Sequence, residues 1–187
     1  MKILRGLRGF GREANKDPME LASVYQIVDQ CLEIQQSRLE RHGVEFRLHL
    51  EPDIPAIECR ETQIGQILTN LLNNAFDAVM AGGGEKHWIE MAACLADGCL
   101  RLEVTDSGPG IAENIKAHLM EPFFTTKEIG LGMGVGLSLS RAIAHSHGGS
   151  LELLAGTPNT CFELILPVDF DSKRGSGLDT APEATAP

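Results

Sequence analysis

The segment from Glu61 to Met80 places Ile64, Ile67, Leu68, Leu71, Leu72, Ala75, Phe76 and Val79 at i, i+3, i+4, i+7 spacing. That period predicts a helix with one apolar stripe, ended by Gly82, Gly83 and Gly84. Upstream, Leu21, Val24, Tyr25, Val28, Cys31, Leu32 and Leu39 recur at the same spacing and predict a helix from Pro18 to Arg41, closed by Gly43. The next stretch, VEFRLHL, alternates Val44, Phe46, Leu48 and Leu50 against Glu45, Arg47 and His49, the period of a half-buried strand. HWIEMAACL and CLRLEVTD read as two strands joined by Asp97-Gly98, a dipeptide suited to a tight hairpin turn. A last helix, GLSLSRAIAHSH, ends at Gly148-Gly149, and SLELLAG with CFELILPV forms a second hairpin around Pro158-Asn159.

Hairpins outnumber alternating β-α-β units, so the expected class is α+β: helices on one face of a mixed, mostly antiparallel sheet, in two layers. Residues 1–17 are basic and broken by Gly6, Gly9 and Gly11, and read as a frayed helix end plus linker. Residues 18–168 form the expected domain, and 169–187, poor in apolar side chains, the expected disordered tail. With 187 residues and 43% hydrophobic composition, one core is the natural outcome. A formal charge of −10, from 26 acidic against 16 basic residues, argues against nucleic acid and anionic membranes as partners. Cys31, Cys59, Cys94, Cys99 and Cys161 show no C-x-x-C pair, as a reducing cytoplasm permits.

Opposite the apolar stripe of the Glu61–Met80 helix lie Gln63, Gln66, Asn70, Asn74 and Asp77. At ~100° per residue, Asn70, Asn74 and Asp77 fall within about 60° of one another. They read either as a solvated face or as oxygen ligands for one hard cation such as Mg²⁺. Two asparagines are poor helix formers, which weakens the first reading. In CLRLEVTDSGPG, strict alternation turns Asp106 to the same side as Leu100, Leu102 and Val104. An acid on an apolar face needs a partner: a turn it caps, a cation, or the amino group of a bound heterocycle. The stretch GLGMGVGLS carries Gly130, Gly132, Gly134 and Gly136 at every second position. Neither G-x-x-x-x-G-K-[ST] nor G-x-G-x-x-G occurs there. The glycines form a flexible loop, or one that exposes N–H groups at a helix start to a polyphosphate.

Taken in order, QILTNLLNNAFDAV, DSGPG, EPFFTTK and GLGMGVGLSLS resemble the N, G1, F and G2 boxes of the catalytic ATP-binding domain of sensor histidine kinases, in the GHKL superfamily. The resemblance spans roughly Pro18 to Val168. It implies a two-layer α/β sandwich of the Bergerat type, with ATP and Mg²⁺ held between its helices under a mobile lid over about Glu121 to Val135. By those motifs Asn74 binds Mg²⁺ and Asn70 assists it, with Asp77 beside them. Asp106 accepts the adenine 6-amino hydrogen, Gly108 and Gly110 admit the base, and Phe123 and Phe124 anchor the lid. Gly132, Gly134 and Gly136, with Leu137 next to them, wrap the phosphates. Lys127 either neutralises phosphate charge or is an exposed lid lysine.

Related ATPases carry a glutamate one turn before the metal-binding asparagine, where this chain has Asn70. An amide takes no proton near neutral pH, so a protein histidine kinase is favoured over a GHKL-type ATPase; a nucleotide-sensing or docking module without activity ranks lower. None of His42, His49, His87, His118, His145 and His147 precedes an acid, so the family's H-E acceptor pattern is missing. The expected partners are therefore a histidine-containing dimerisation domain supplied separately and, indirectly, a response regulator. The expected place is the cytoplasm, whether or not a longer parent is membrane-anchored. His145 and His147 diverge by about 200° on a helix and cannot share a metal, so His147 is expected to satisfy terminal carbonyls and Trp88 to pack.

Overall fold

The computed structural model describes residues 18–83, 87–126 and 133–169. In chain order the elements are β1 (Glu20–Ala22), α1 (Val24–Arg41), β2 (Glu45–Leu50), β3 (Ile57–Cys59), α2 (Glu61–Ala81), β4 (Trp88–Ala96), β5 (Cys99–Asp106), α3 (Glu113–Lys116), α4 (Gly136–Ser146), β6 (Ser150–Leu153) and β7 (Thr160–Pro167). Five strands make one sheet in the order β2-β4-β5-β7-β6. β2 runs parallel to β4, and the remaining neighbours are antiparallel. Helix α2 packs against both α1 and α4, and α2 and α4 lie against the sheet. An α+β fold of two layers results, as expected.

The core is where the periodic stripes meet. Ile64, Ile67, Leu68, Leu71 and Leu72 of α2 are at most 1% exposed, as are Ile89 and Met91 of β4 and Leu100 and Leu102 of β5. Each fully buried side chain of this kind contributes about 1.5–3 kcal/mol, so this stripe fixes how α2 lies across the sheet. The β4–β5 hairpin turns at Asp97 (φ 54°) and Gly98 (φ 70°), both left-handed as a two-residue hairpin turn demands.

One expected boundary is wrong. The first helix does not start at Pro18: residues 20–22 form β1, paired antiparallel with β3 at Glu20↔Cys59 and Ala22↔Ile57, and the helix begins at Val24 after Ser23. Leu21, counted into the helical stripe, is 75% exposed. The pairing partner lies more than thirty residues away, so local periodicity carries no trace of it. A short helical turn, α3, was also not expected.

Glycine at 149 has a packing cause. A Cβ there would overlap the backbone carbonyl oxygen of Ile165, so the end of α4 can meet β7 only through a residue without a side chain.

Candidate nucleotide site

β5 delivers Asp106 to the edge of the core, and the alternation that buries Leu100, Leu102 and Val104 buries it too, at 3% exposure. Its Oδ1 accepts a hydrogen bond from the Gly108 N–H at 2.8 Å. Burial pushes its pKa up to about 6, and the Gly108 hydrogen bond offsets only part of that rise. Among the described residues no cationic side chain pairs with it. Asn159, after β6, donates its Nδ2 to the Asp106 carbonyl at 3.0 Å and so fixes the strand end. A Cβ on Gly108 would stand 2.6 Å from Asp106 Oδ1 and 3.0 Å from Ala78 Cβ, which makes glycine obligatory where this loop crosses α2. Gly110 takes φ +82° with open space around it. The result is an anionic acceptor, half satisfied, beside bare backbone: a cradle that fits a flat heterocycle with an amino group.

The polar face of α2 divides between its two neighbours. Asp77 accepts from Arg38 Nη2 of α1 at 3.1 Å. Asn73 accepts from Arg38 Nη1 at 2.7 Å and from Gln35 Nε2 at 3.2 Å. Arg38 also lies over the Phe76 ring, 3.8 Å from its centroid. Asp77 is thus drawn toward α1 and paired there, so of the three oxygens expected on one cation Asn70 and Asn74 remain the candidates. Asn70 faces α4: its Nδ2 donates to Ser140 Oγ at 3.0 Å, and its Oδ1 lies so close to Gly136 that a Cβ there would overlap it. Asn74 follows one turn on, half-buried. Among the described residues no group of three or more His, Cys, Asp or Glu side chains is placed to hold a metal. Two neutral amide oxygens fit a hard ion that keeps most of its ligands as water and phosphate oxygen, and do not fit one caged by protein alone.

Glycines of the Gly130–Gly136 stretch have protein-side causes as well. Gly134, at φ +64°, returns its carbonyl to the Phe123 N–H at 2.8 Å, and a Cβ on it would stand 2.5 Å from the Phe124 carbonyl oxygen. Phe123 is left-handed at φ 68° and 70% exposed, whereas Phe124 is half-buried beside the His118 ring at 5.7 Å. Leu137 is half-buried and packs on the core. Lys127 and Gly132 lie outside the described residues, as does the middle of the expected lid.

Sequence reasoning passed over three contributors: Arg38, Asn159 and Ser140. Ser140 left a readable signal, a hydroxyl on the stripe that includes Leu137, Ile143 and Ala144, where it must find a partner. His147 behaves as expected and does more. Its Nδ1 bonds the Ile143 carbonyl at 2.9 Å, while its Nε2 accepts from the Arg60 N–H at 3.1 Å, tying the end of α4 to the start of α2. His145 points to solvent, and Trp88 packs under Arg47, 4.9 Å from its ring centroid.

A family profile described as histidine kinase-, DNA gyrase B-, and HSP90-like ATPase matches residues 59–170, more than half of the chain. The chain belongs to that family. ATP is accordingly its nucleotide. The C4-dicarboxylate transport sensor protein DctB of Rhizobium meliloti (strain 1021) is 36% identical over 141 residues, covering 75% of this chain and 22% of DctB. The sensory histidine kinase/phosphatase NtrB of Azospirillum brasilense is 31% identical over 182 residues, 90% of this chain and 44% of NtrB. The chain therefore spans less than half the length of these relatives. The catalytic domain of histidine kinase ThkA superposes with a TM-score of 0.72 at 26% identity, over 83% of this chain and 99% of that one. ThkA in complex with the response regulator protein TrrA shares the fold, with a TM-score of 0.71 at 23% identity, over 90% of this chain and 48% of that one. The chain is thus built as a histidine kinase-type ATPase catalytic domain, and among its described residues no helix is long and apolar enough to cross a membrane.

Proposed function

We propose that this domain binds Mg-ATP between α2, α4 and the loop after β5, and passes the γ-phosphoryl group to a histidine on a dimerisation domain outside residues 18–168, from which a response regulator takes it. The observation that carries the reading is Asp106: a buried carboxylate with no cationic partner among the described residues, beside Gly108, where a Cβ would stand 2.6 Å from its Oδ1. It accepts the adenine amino hydrogen. Gly110 leaves room for the base, and Asn74 and Asn70 hold Mg²⁺ through their amide oxygens. When bound, the ion neutralises charge on the transferring phosphoryl group. Gly132, Gly134, Gly136 and Leu137 border the phosphates, and Lys127 neutralises part of their charge. Phe123 and Phe124 anchor the lid.

A kinase is favoured over a hydrolase by Asn70. Water needs a base to become a nucleophile, and here the position one turn before Asn74 holds an amide whose N–H is already given to Ser140. Replacing Asp106 tests the site directly. A hydrogen bond to a charged acceptor contributes about 1.5–3 kcal/mol, so Asp106→Asn should weaken ATP binding at least tenfold by titration calorimetry. Unchanged affinity would remove Asp106 from the site.

A further inference from the structure

We propose that Ser140 is a positioning residue for the metal end of the nucleotide site: it takes the Asn70 amide N–H and thereby leaves the Asn70 oxygen for the cation. The inference rests on the nucleotide-site reading above.

Ser140 is 2% exposed, within α4. A serine inside a helix commonly turns its hydroxyl back onto its own backbone. This one instead accepts from Asn70 Nδ2, at 3.0 Å, across to α2. The two ends of an amide are not equivalent to a hard ion, because the oxygen is a ligand and the N–H groups repel it. Once Oδ1 is given to a cation, Nδ2 lies in a half-buried cleft and needs an acceptor of its own. Ser140 Oγ is that acceptor. On its other side the amide is pressed against Gly136, the first residue of α4, where no Cβ fits, so it has little freedom to tilt. The same helix that closes the glycine stretch therefore fixes the ligand on its neighbour.

Calorimetric titration of the full chain with a non-hydrolysable ATP analogue, once with Mg²⁺ and once with EDTA, separates this role from general packing. Outer partners of metal ligands typically matter by about tenfold or more. Ser140→Ala should lose about tenfold of the gain in affinity that Mg²⁺ brings, with the EDTA arm moving less than twofold, and Ser140→Thr should restore most of the gain. An unchanged Mg²⁺ gain in Ser140→Ala, or equal losses in both arms, would overturn the assignment of Ser140. No binding by the unchanged chain in either arm would instead overturn the nucleotide site itself. A second measurement needs no variant: with Mg²⁺ and the analogue bound, the Asn70 side-chain NH₂ protons should exchange slowly with solvent by NMR. Rapid exchange would contradict the Ser140 hydrogen bond.

Discussion

Asp106 ionises at about 6 in the folded domain against an ordinary value of 3.8, because burial disfavours its charge. A raised carboxylate contributes stability that is complete below the unfolded value and is lost as pH rises through the folded one. The empty domain thus holds a costly charge at pH 8, and Asp106→Asn should stabilise it there by about 2–3 kcal/mol, with the difference closing toward pH 4. Thermal unfolding of both chains across that range checks this; equal melting at every pH would mean the carboxylate is not desolvated. His147 pulls the other way, its pKa lowered from the ordinary 6.5 chiefly by burial. Its contribution is present above 6.5 and is lost as pH falls toward the folded value. His147→Ala should cost about 1–3 kcal/mol at pH 8 by removing the imidazole acceptor of the Arg60 N–H and the buried packing of the ring, and should flatten the loss of stability on acidification. A variant that keeps the parent's acid slope would contradict this. Asp106 was legible from alternation alone because a strand's period decides which side a residue faces. Arg38 was not, and Ser140 was legible only as a buried hydroxyl on an apolar stripe, since the partners of both on α2 are reached only after the helices have packed.

The last helix shows how an element depends on residues with no side chain. Gly149 meets the Ile165 carbonyl, which belongs to a sheet strand and cannot retreat, and Gly134 combines φ +64° with the Phe124 backbone. Gly149→Ala should destabilise the domain by about 1–3 kcal/mol in denaturant unfolding, as overpacking against fixed backbone does. A loss under half a kilocalorie, on the scale of an ordinary surface change, would mean the strand gives way. By its spacing the glycine run read as either a flexible loop or a phosphate loop, and the family resemblance implied the second. The structure adds a second cause, close packing on Asn70 and on the Phe123–Phe124 backbone, that spacing cannot reveal. Long helices and hairpins were legible because their partners are local or their stripes repeat over several turns. The three-residue strands β1 and β3 and the parallel pairing of β2 with β4 were not, because each joins segments separated by other elements.

At the scale of the whole molecule, the proposed reading gives the domain a nucleotide cleft, while none of its histidines carries the acceptor pattern. Phosphoryl transfer depends on positioning and charge neutralisation, so a site holding ATP still needs an in-line nucleophile. Water lacks a carboxylate base at Asn70, and no histidine here is followed by an acid. The chain alone should therefore neither label itself nor release phosphate appreciably. The most direct test is incubation with γ-labelled ATP and Mg²⁺, with and without a cognate histidine-containing dimerisation domain. The expected result is an acid-labile, base-stable phosphoryl label on the added domain only. Label on the chain itself would contradict transfer only in trans, and steady phosphate release without the partner would favour a hydrolase.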